Sequence, residues 1–448
     1  MKNQTIIKQL CISLIVLAVG NGQSFFPLFP SDLGLLDAQR VSSGAVGIIA
    51  NSSYSSIWEN PAMLGFGDDG LKASMSFGLQ RREEFRSVPM IDMFDDVVTK
   101  NAYAGNRNFY TTYHGGLTMS LPMLPNKIKF ALGVKPFWDF NYNYNEEVRG
   151  NLPSGEYNRD PVVGYHVLDR TGVIHSVGGG FSVNILPNIN IGLSISSLVG
   201  TNLNGRTEVV VLDSNDIDDA LAGFPYSLGG DVSLKESNKL INTGLTWRFS
   251  NGNRLGLSYR SGVSLTMDDN AWYPGINERT QLPGLMLVSD TTLSHTIELP
   301  AQIGFGYQHK LDHTIYPVTV NLEVRYVDWT KYTFSFDPMM DSTTTLDHHF
   351  QETWDFRTSV EYLVRNSFPV RVGFIYNESP LGQEFESSTI TLGTAYSMGR
   401  FVIDFGGWFN RIEYVYEDIF PAIGESTDPL ETVTEWNSQF VVTLNYKF

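Results

Sequence analysis

The sequence has almost no cysteine. The single Cys11 lies in an uncharged run from Leu10 to Gly20, and Lys2 and Lys8 precede this run. A basic start, an apolar run too short to span a bilayer as a helix and small residues after it are typical of a secretory signal peptide. We therefore predict that residues 1–22 are cleaved on export. The mature chain then has no thiol, which excludes disulfides, cysteine metal ligands and a cysteine nucleophile.

Positive charge and long apolar runs are also scarce. The chain has 31 basic and 48 acidic residues, a net charge of −17, and only 18% of its residues are charged. Nucleic acid requires a basic surface, so this class of partner is excluded. After residue 22 no apolar run approaches the ~20 residues of a membrane helix. In contrast, aromatic residues make up 13% of the chain and glycine occurs 41 times.

Many short segments alternate apolar and polar residues with a period of two, which predicts strands. Their number is even and their length is about ten residues, as in an outer-membrane barrel. Lipid cannot hydrogen-bond a free sheet edge, so the sheet must close. We predict an all-β fold: a 14-stranded antiparallel transmembrane β-barrel over residues 71–448. The segments are 71–80, 110–121, 128–139, 172–184, 189–199, 239–250, 253–265, 296–309, 315–328, 352–364, 368–378, 387–397, 400–413 and 437–448.

The connections between these segments alternate between short and long. Transmembrane barrels have short periplasmic turns and long outer loops, so the short turns are predicted at the periplasmic end. Two long connections, 200–238 and 266–295, are unusually apolar for outer loops. An exposed apolar patch marks a binding groove or an interface, although the two loops could also pack on each other and cap the barrel. The candidate groove residues are Phe224, Tyr226, Trp272, Tyr273, Leu285, Met286 and Leu287.

The last strand is apolar on one face only. Phe440, Leu444 and Phe448 fall on the face predicted to meet lipid, whereas Thr443 and Asn445 fall on the face predicted to meet the lumen. A strand of this kind with Tyr446 and a terminal Phe448 resembles the signal that the barrel-assembly machinery recognises. We therefore predict this machinery as a partner during biogenesis.

Residues 23–70 precede the first strand and lack its alternation. Asn60 is suited to cap a helix or turn, and Pro61 is suited to the first helical position, with Ala62 after it. A barrel of this size has room for a compact segment in its lumen. We predict that residues 23–70 form an amino-terminal plug, or hatch.

The plug motif and three later stretches resemble the FadL-type outer-membrane transporters of long-chain fatty acids and aromatic hydrocarbons (the FadL/TodX superfamily). The stretches are LEVRYVDWTKYTF (322–334), TWDFRTSVEYLV (353–364) and FPVRVGFIYNESPL (368–381). The chain departs from the family in having Met63 after the Asn-Pro-Ala motif. It also has Asn51, Ser52 and Ser53 where the family often has acidic residues, so the ligand class stays open.

The resemblance implies passive uptake of a hydrophobic small molecule, captured by the third and fourth outer loops, without a cofactor. It also implies that the ligand leaves sideways where the third strand kinks. The third predicted strand contains Pro136, which cannot donate to a sheet ladder. Nearby, Gly178, Gly179 and Gly180 tolerate distortion and close approach. We predict that the lateral opening lies at Pro136.

Enzyme motifs are missing from the sequence, which has no GxSxG, HExxH or phosphate loop. We predict that the protein is not an enzyme and has no metal centre. The histidines 348–349 and the acidic stretch 212–219 are expected in outer loops, the latter holding divalent cations among lipopolysaccharides. We expect a monomer in contact with outer-membrane lipid and lipopolysaccharide.

Two alternative functions stay open at this point. The type IX secretion shuttle protein belongs to the same superfamily, so a secretion component or an adhesin platform that binds proteins at its outer loops is the first. A barrel phospholipase, which would need serine, histidine and an orienting partner close together, is the second.

Overall fold

The computed structural model describes residues 30, 36–94, 97–120, 128–149, 162–200, 203–211, 227–276, 283–311, 317–336, 350–364, 368–417 and 430–448. Strands dominate this part of the chain. They are β1 (Leu71–Ile91), β2 (Val97–Ser120), β3 (Ile128–Asp139), β4 (Tyr142–Arg149), β5 (Val162–Thr171), β6 (Val173–Leu186), β7 (Ile189–Gly200), β8 (Leu203–Val211), β9 (Ser227–Ser237), β10 (Leu240–Arg248), β11 (Arg254–Arg260), β12 (Val263–Ile276), β13 (Pro283–Leu299), β14 (Gln302–Leu311), β15 (Val318–Asp328), β16 (Thr333–Phe336), β17 (Glu352–Val364), β18 (Phe368–Asn377), β19 (Ser387–Met398), β20 (Phe401–Glu417) and β21 (Leu430–Lys447).

Fourteen of these strands pair antiparallel into a closed barrel. Its order is β1-β2-β3-β6-β7-β10-β11-β14-β15-β17-β18-β19-β20-β21, and β21 pairs back onto β1 from Lys72 opposite Lys447 to Ser87 opposite Thr432. Each of the fourteen predicted segments overlaps one barrel strand, so the prediction of a 14-stranded closed barrel is confirmed. Among the described residues, no helix is long and apolar enough to cross a membrane.

The other seven strands form a second sheet in the order β16-β13-β12-β9-β8-β5-β4, which the sequence reading missed. Each continues a barrel strand after an interruption of one to four residues, such as Gly172 between β5 and β6. The prediction of outer loops at 200–238 and 266–295 is therefore wrong for most of these residues, because β8, β9, β12 and β13 occupy them. Some interruptions carry glycine or proline, such as Gly172, Gly262 and Pro300, which weaken a strand, whereas the predicted segments 253–265 and 296–309 ran across two of the interruptions.

An apolar cluster fills the junction where the barrel meets the second sheet. Along β12, Val263, Leu265 and Met267 are buried while Ser264 and Thr266 between them are more open, so one face of the sheet points into the molecule. We call the following buried residues the junction cluster: Phe137, Trp138, Ile174, Leu198, Leu240, Val263, Leu265, Met267, Ile297 and Leu299.

The terminal strand has the two faces that its sequence predicted. The side chains of Phe440 and Phe448 are 55% and 62% exposed on the outer wall, whereas Thr443 and Asn445 are buried inside. The Phe448 N–H donates to the carbonyl of Leu71 at 3.0 Å, so the chain end is fixed to the first strand. The role of Tyr446 and Phe448 as an assembly signal stays a prediction.

Candidate functional site

A compact segment, residues 36–70, lies inside the barrel, and we call it the plug. It contains a short helix, α1 (Ala38–Ser42), and two 3₁₀ segments, Tyr54–Trp58 and Pro61–Phe66. Asn60 caps the second 3₁₀ segment, because its side chain accepts a hydrogen bond from the Ala62 N–H. Its Nδ2 also donates to the carbonyl of Ile48 at 2.7 Å. The Asn-Pro-Ala motif thus joins two parts of the plug.

A buried cluster of charges joins the plug to the barrel wall. The Glu59 carboxylate lies 2.7 Å from the guanidinium of Arg40 on the plug and 2.7 Å from that of Arg325 on β15. All three side chains are at most 3% exposed. Buried charges are tolerated only when they are paired in this way, and the loss of one partner leaves an uncompensated charge. The cluster therefore fixes the plug in one position.

The loop at the tip of the plug is held by the same side of the barrel. The Glu323 carboxylate on β15 accepts hydrogen bonds from the backbone N–H groups of Gly47 and Ile48, both at 2.8 Å. From β17, the Arg357 guanidinium donates to the carbonyl of Ala45 at 3.0 Å. Charge-assisted bonds to backbone groups orient this loop without using its own side chains.

Glycines in the wall allow the plug to approach the barrel backbone closely. A Cβ atom at Gly244 would lie 1.8 Å from Oδ1 of Asn60, and one at Gly192 would lie 2.3 Å from the Ala62 nitrogen. Neither space would admit a methyl group. The other wall glycines whose added Cβ would meet the plug at less than 3 Å are Gly116, Gly133, Gly256, Gly304, Gly373, Gly393 and Gly406.

The hydrogen-bond ladder between β2 and β3 ends before β3 does. In the described ladders, β3 pairs with β2 as far as Val134 opposite Gly115, and the next residues of β3 pair with β6 alone. The β3–β6 ladder itself is irregular between Pro136 and Trp138. Past this point, β4 reaches β2 through a side chain, because the Asn143 N–H donates to the Tyr110 hydroxyl at 3.0 Å. We call the stretch of wall between Val134 and Asn143 the wall gap.

Aromatic residues surround the wall gap. Phe137 and Trp138 of the junction cluster lie within it, and the Trp138 ring stacks on Phe140 with centroids 4.9 Å apart. The Trp138 Nε1 is buried and has no hydrogen-bond partner within the described part of the chain. On the outer wall, Tyr113 is 62% exposed and its ring centroid lies 6.4 Å from that of His175.

The plug contacts the wall gap from the lumen. The Tyr54 hydroxyl lies 2.5 Å from Nδ1 of His114 on β2, and the Trp58 Nε1 donates to Ser176 Oγ at 2.8 Å. Burial raises the pKa of Tyr54 well above its ordinary value. Tyr54 therefore stays neutral, and its hydroxyl shares one hydrogen bond with Nδ1 of His114.

The predicted site residues have different outcomes in the structure. Pro136 lies at the distorted point of β3, whereas Gly178 to Gly180 lie in regular described ladders with β3 and β7. Phe224 and Tyr226 lie outside the described residues. The backbone of Trp272 is opposite Leu287, that of Tyr273 is opposite Met286, and that of Leu285 is opposite Pro274. The two halves of the 266–295 stretch are thus one hairpin.

The charged cluster around Glu59 was missed by the sequence reading. A signal was present, since Glu323 and Arg325 fall on alternate positions of a strand whose other face carries Leu322 and Val324. Charges on the inner face of a barrel strand require partners in the lumen. Their partners could not be found from the sequence, because Glu59 is distant along the chain.

Three histidines of the described part of the chain are hydrogen-bonded to other side chains. His114, His166 and His309 are hydrogen-bonded to Tyr54, Glu146 and Tyr307, respectively. In the same part of the chain, no group of His, Cys, Asp or Glu has the arrangement of a metal site. Both 212–219 and 348–349 lie outside the described residues.

Part of the chain matches a known family. Residues 236–399 match the family described as "Outer membrane protein transport protein (OMPP1/FadL/TodX)". This range contains the three later stretches that carry the resemblance to FadL-type transporters, whereas the plug motif lies outside it, and the resemblance is confirmed. The family description and the closed barrel indicate the outer membrane. No curated protein matches the chain by sequence.

Solved structures share the fold over nearly the whole chain. A Pseudomonas aeruginosa FadL homologue is 13% identical, with a TM-score of 0.63, and the match covers 92% of this chain and 98% of that one. The P. putida toluene transporter TodX is 15% identical, with a TM-score of 0.56 and coverage of 93% and 99%. The Ralstonia pickettii toluene transporter TbuX is 16% identical, with a TM-score of 0.53, and the match covers 93% of this chain and 99% of that one. At these levels of sequence identity, the similarity to the solved structures shows a shared fold.

Proposed function

We propose that this chain is an outer-membrane channel for the passive uptake of hydrophobic small molecules, with sideways release into the bilayer through the wall gap. The matched family description of transport proteins and the closed, plugged barrel support a transport role. In this proposal residues 1–22 are removed on export. The ligand is a long-chain fatty acid or an aromatic hydrocarbon, in keeping with the resemblance and with the similarity of the fold to a FadL homologue and to a toluene transporter.

The observation that carries the proposal is the early departure of β3 from β2 after Val134. The plug occupies the lumen and is fixed to the wall by the buried Glu59 cluster, so a straight path along the barrel axis is obstructed. The wall gap lies beside this obstruction and adjoins the junction cluster. A hydrophobic molecule gains nothing by entering periplasmic water, whereas passage into the bilayer keeps its apolar surface buried.

Binding energy for such a ligand comes from apolar burial. Each buried CH₂ group contributes about 0.8 kcal/mol, so an alkyl chain or aromatic ring needs few polar contacts. We propose that the hairpin of β12 and β13, with Trp272, Tyr273, Leu285, Met286 and Leu287, and the stretch with Phe224 and Tyr226 form the capture groove. The unpartnered Nε1 of Trp138 favours a ligand that also carries a hydrogen-bond acceptor.

A reversible clamp across the wall gap tests the release route. If the β2–β3 ladder continued past Gly115 and Val134, Tyr113 would lie opposite Pro136. We would replace both by cysteine in the thiol-free mature chain, oxidise the pair and measure uptake of a labelled fatty acid and of toluene. Uptake is expected to fall on oxidation and to return on reduction.

The matched control is a cysteine pair at Leu117 and Leu132, which are already opposite each other in the regular part of the same ladder. Oxidation of this pair should leave uptake unchanged. Full uptake by the oxidised Tyr113–Pro136 pair, with disulfide formation verified by mass spectrometry, would refute sideways release.

A further inference from the structure

A row of charged residues crosses the outer wall of four neighbouring strands. Arg107 on β2 is opposite Glu83 on β1, Glu83 is opposite Trp436 on β21, and Trp436 is opposite Arg411 on β20. Arg81 lies two residues before Glu83, on the same outer face of β1. The side chains of Arg81, Arg107 and Arg411 are 44%, 61% and 48% exposed.

At this row polar residues begin to mix with the apolar residues of the outer wall, since the next outer positions toward the second sheet carry Glu413, Thr434 and Phe85. In the next row toward the short turns, Arg81 lies with Phe109 and Phe409, which are 60% and 45% exposed, and the row after it carries Leu79 and Phe440, which are 42% and 55% exposed. The Arg411 guanidinium lies over the Trp436 ring, 5.3 Å from its centroid. Arginine on the lipid face is tolerated near the membrane interface and costs far more at the bilayer centre. The row is therefore at the headgroup level of the end that bears the second sheet.

Positive charge exceeds negative charge in this patch. The Glu83 carboxylate is shared by Arg81 and Arg107, and the Glu413 carboxylate is shared by Arg411 and Lys100. Four cations thus share two carboxylates, in a chain whose net charge is −17. Each shared carboxylate leaves guanidinium N–H groups that face outward and are able to donate to another anion.

Other strands carry the opposite charge near the same end of the barrel. Around the outer pair of Tyr326 on β15 and Trp354 on β17, the neighbouring charged residues include Glu352 and Glu378. Within the described residues, the cations on β20, β1 and β2 thus outnumber the carboxylates that they pair with, unlike the charges around Tyr326 and Trp354. A general attraction to an anionic membrane would not require such a one-sided arrangement, whereas a site for a particular headgroup would.

We propose that Arg81, Arg107, Arg411 and Lys100, which we call the outer basic patch, bind the phosphate groups of an anionic lipid in the outer leaflet. The planar guanidinium matches the geometry of phosphate and binds it through two parallel hydrogen bonds. The apolar rows below the patch accommodate the acyl chains of the same molecule. The patch borders β2, one side of the wall gap, but the inference does not depend on transport.

Binding of a phosphorylated lipid A and of the same lipid without phosphates to the purified protein in detergent would test this site. Native mass spectrometry is expected to show wild-type protein retaining the phosphorylated form about tenfold or more tightly. The triple variant Arg81→Gln/Arg107→Gln/Arg411→Gln is expected to lose that preference. The variant Glu83→Gln removes a competing carboxylate and should bind more tightly than wild type, a gain that misfolding would not produce.

The control variant Arg400→Gln/Lys447→Gln removes two cations at the opposite end of the barrel and should bind the phosphorylated lipid like wild type. A heat-dependent gel shift would verify that each variant is a folded barrel. An unchanged preference in the folded triple variant would overturn the proposal. Displacement of the lipid by an equal concentration of inorganic phosphate would also overturn it, because the site would then not select a lipid.

Discussion

The Glu59 carboxylate on the plug lies 2.7 Å from the Arg325 guanidinium on barrel strand β15. Both side chains are shielded from solvent, and Arg40 makes a second pair with the same carboxylate. This contact joins two segments of different structure, one irregular and one in a sheet. It is therefore the point at which the seating of the plug is most sensitive to a single substitution.

Glu59→Gln should loosen the plug. The substitution leaves Arg40 and Arg325 buried without an anion between them, and the loss of one partner from a buried pair costs about 3–5 kcal/mol. We expect the loosened plug to show faster hydrogen exchange over residues 36–70. The variant in liposomes should also be more permeable to small solutes than wild type. The control Glu413→Gln removes an exposed carboxylate and should change neither. Wild-type exchange in Glu59→Gln would show that the cluster does not hold the plug.

Gly244→Ala should weaken the seating of the plug in a different way. The added methyl group would meet Oδ1 of Asn60 at 1.8 Å, so the capping residue would have to move. Overpacking of this kind typically costs about 1–3 kcal/mol. The midpoint of thermal unfolding in detergent would measure the loss. The control Gly105→Ala places its methyl 3.2 Å from the Phe85 ring on the outer wall and should be nearly neutral. Equal midpoints for the two variants would contradict the close fit.

Pro136→Val should reduce uptake while leaving the barrel folded. Valine restores a backbone N–H and favours strand geometry, so β3 is expected to pair further along β2 and narrow the wall gap. Uptake of labelled ligand should fall by about tenfold or more if this gap is the release route. Pro89→Val, on β1 opposite Lys100, changes the same residue type away from the gap and should have no effect. Normal uptake by Pro136→Val would argue for another route.

Alkaline pH should release the plug through Tyr54. Burial raises the pKa of Tyr54 above its ordinary value, so the exposed tyrosine of an unseated plug loses its proton more readily than the seated one. The stabilisation is fully present below about pH 10 and declines as the pH rises above that value.

Tyr54→Phe lacks the ionisable hydroxyl and should show a smaller rise in plug hydrogen exchange between pH 9 and pH 11 (about one unit on either side of the ordinary tyrosine pKa). It also loses its hydrogen bond to His114, which should cost about 1 kcal/mol at neutral pH. Tyr396→Phe, an exposed tyrosine on β19, is the control. The same pH response in all three proteins would exclude Tyr54 as the cause.

Leu285→Asp/Leu287→Asp should lower the amount of lipid that co-purifies with the protein. The two leucines lie on β13, opposite Pro274 and Trp272 of β12, and charge in an apolar capture groove opposes the burial that binds the ligand. Mass spectrometry of extracted lipids would measure the change. Ser233→Asp/Asn238→Asp adds the same charge at exposed positions. Equal lipid content in both variants would count against the groove.

The sequence alone determined the barrel. Alternation of apolar and polar residues is a local property. In lipid, only a closed sheet satisfies the hydrogen bonds of all its backbone groups. The fourteen strands, the two faces of the last strand and the Asn60 cap followed from residues close together in the chain. The local pattern also identified Pro136 as the irregular point of the third strand, because proline cannot donate to a ladder wherever it lies.

Only the tertiary structure decided how these strands continue beyond the barrel and which residues fill the barrel lumen. The strands are interrupted at residues such as Gly172 and Pro300, and across each interruption the chain passes from a barrel strand to a strand of the second sheet with different partners. The pairing of Glu59 with Arg325 and the wall gap between β2 and β3 depend on which distant segments meet. Register and ion pairing between distant segments are properties of the assembled sheet, which the local order of residues does not specify.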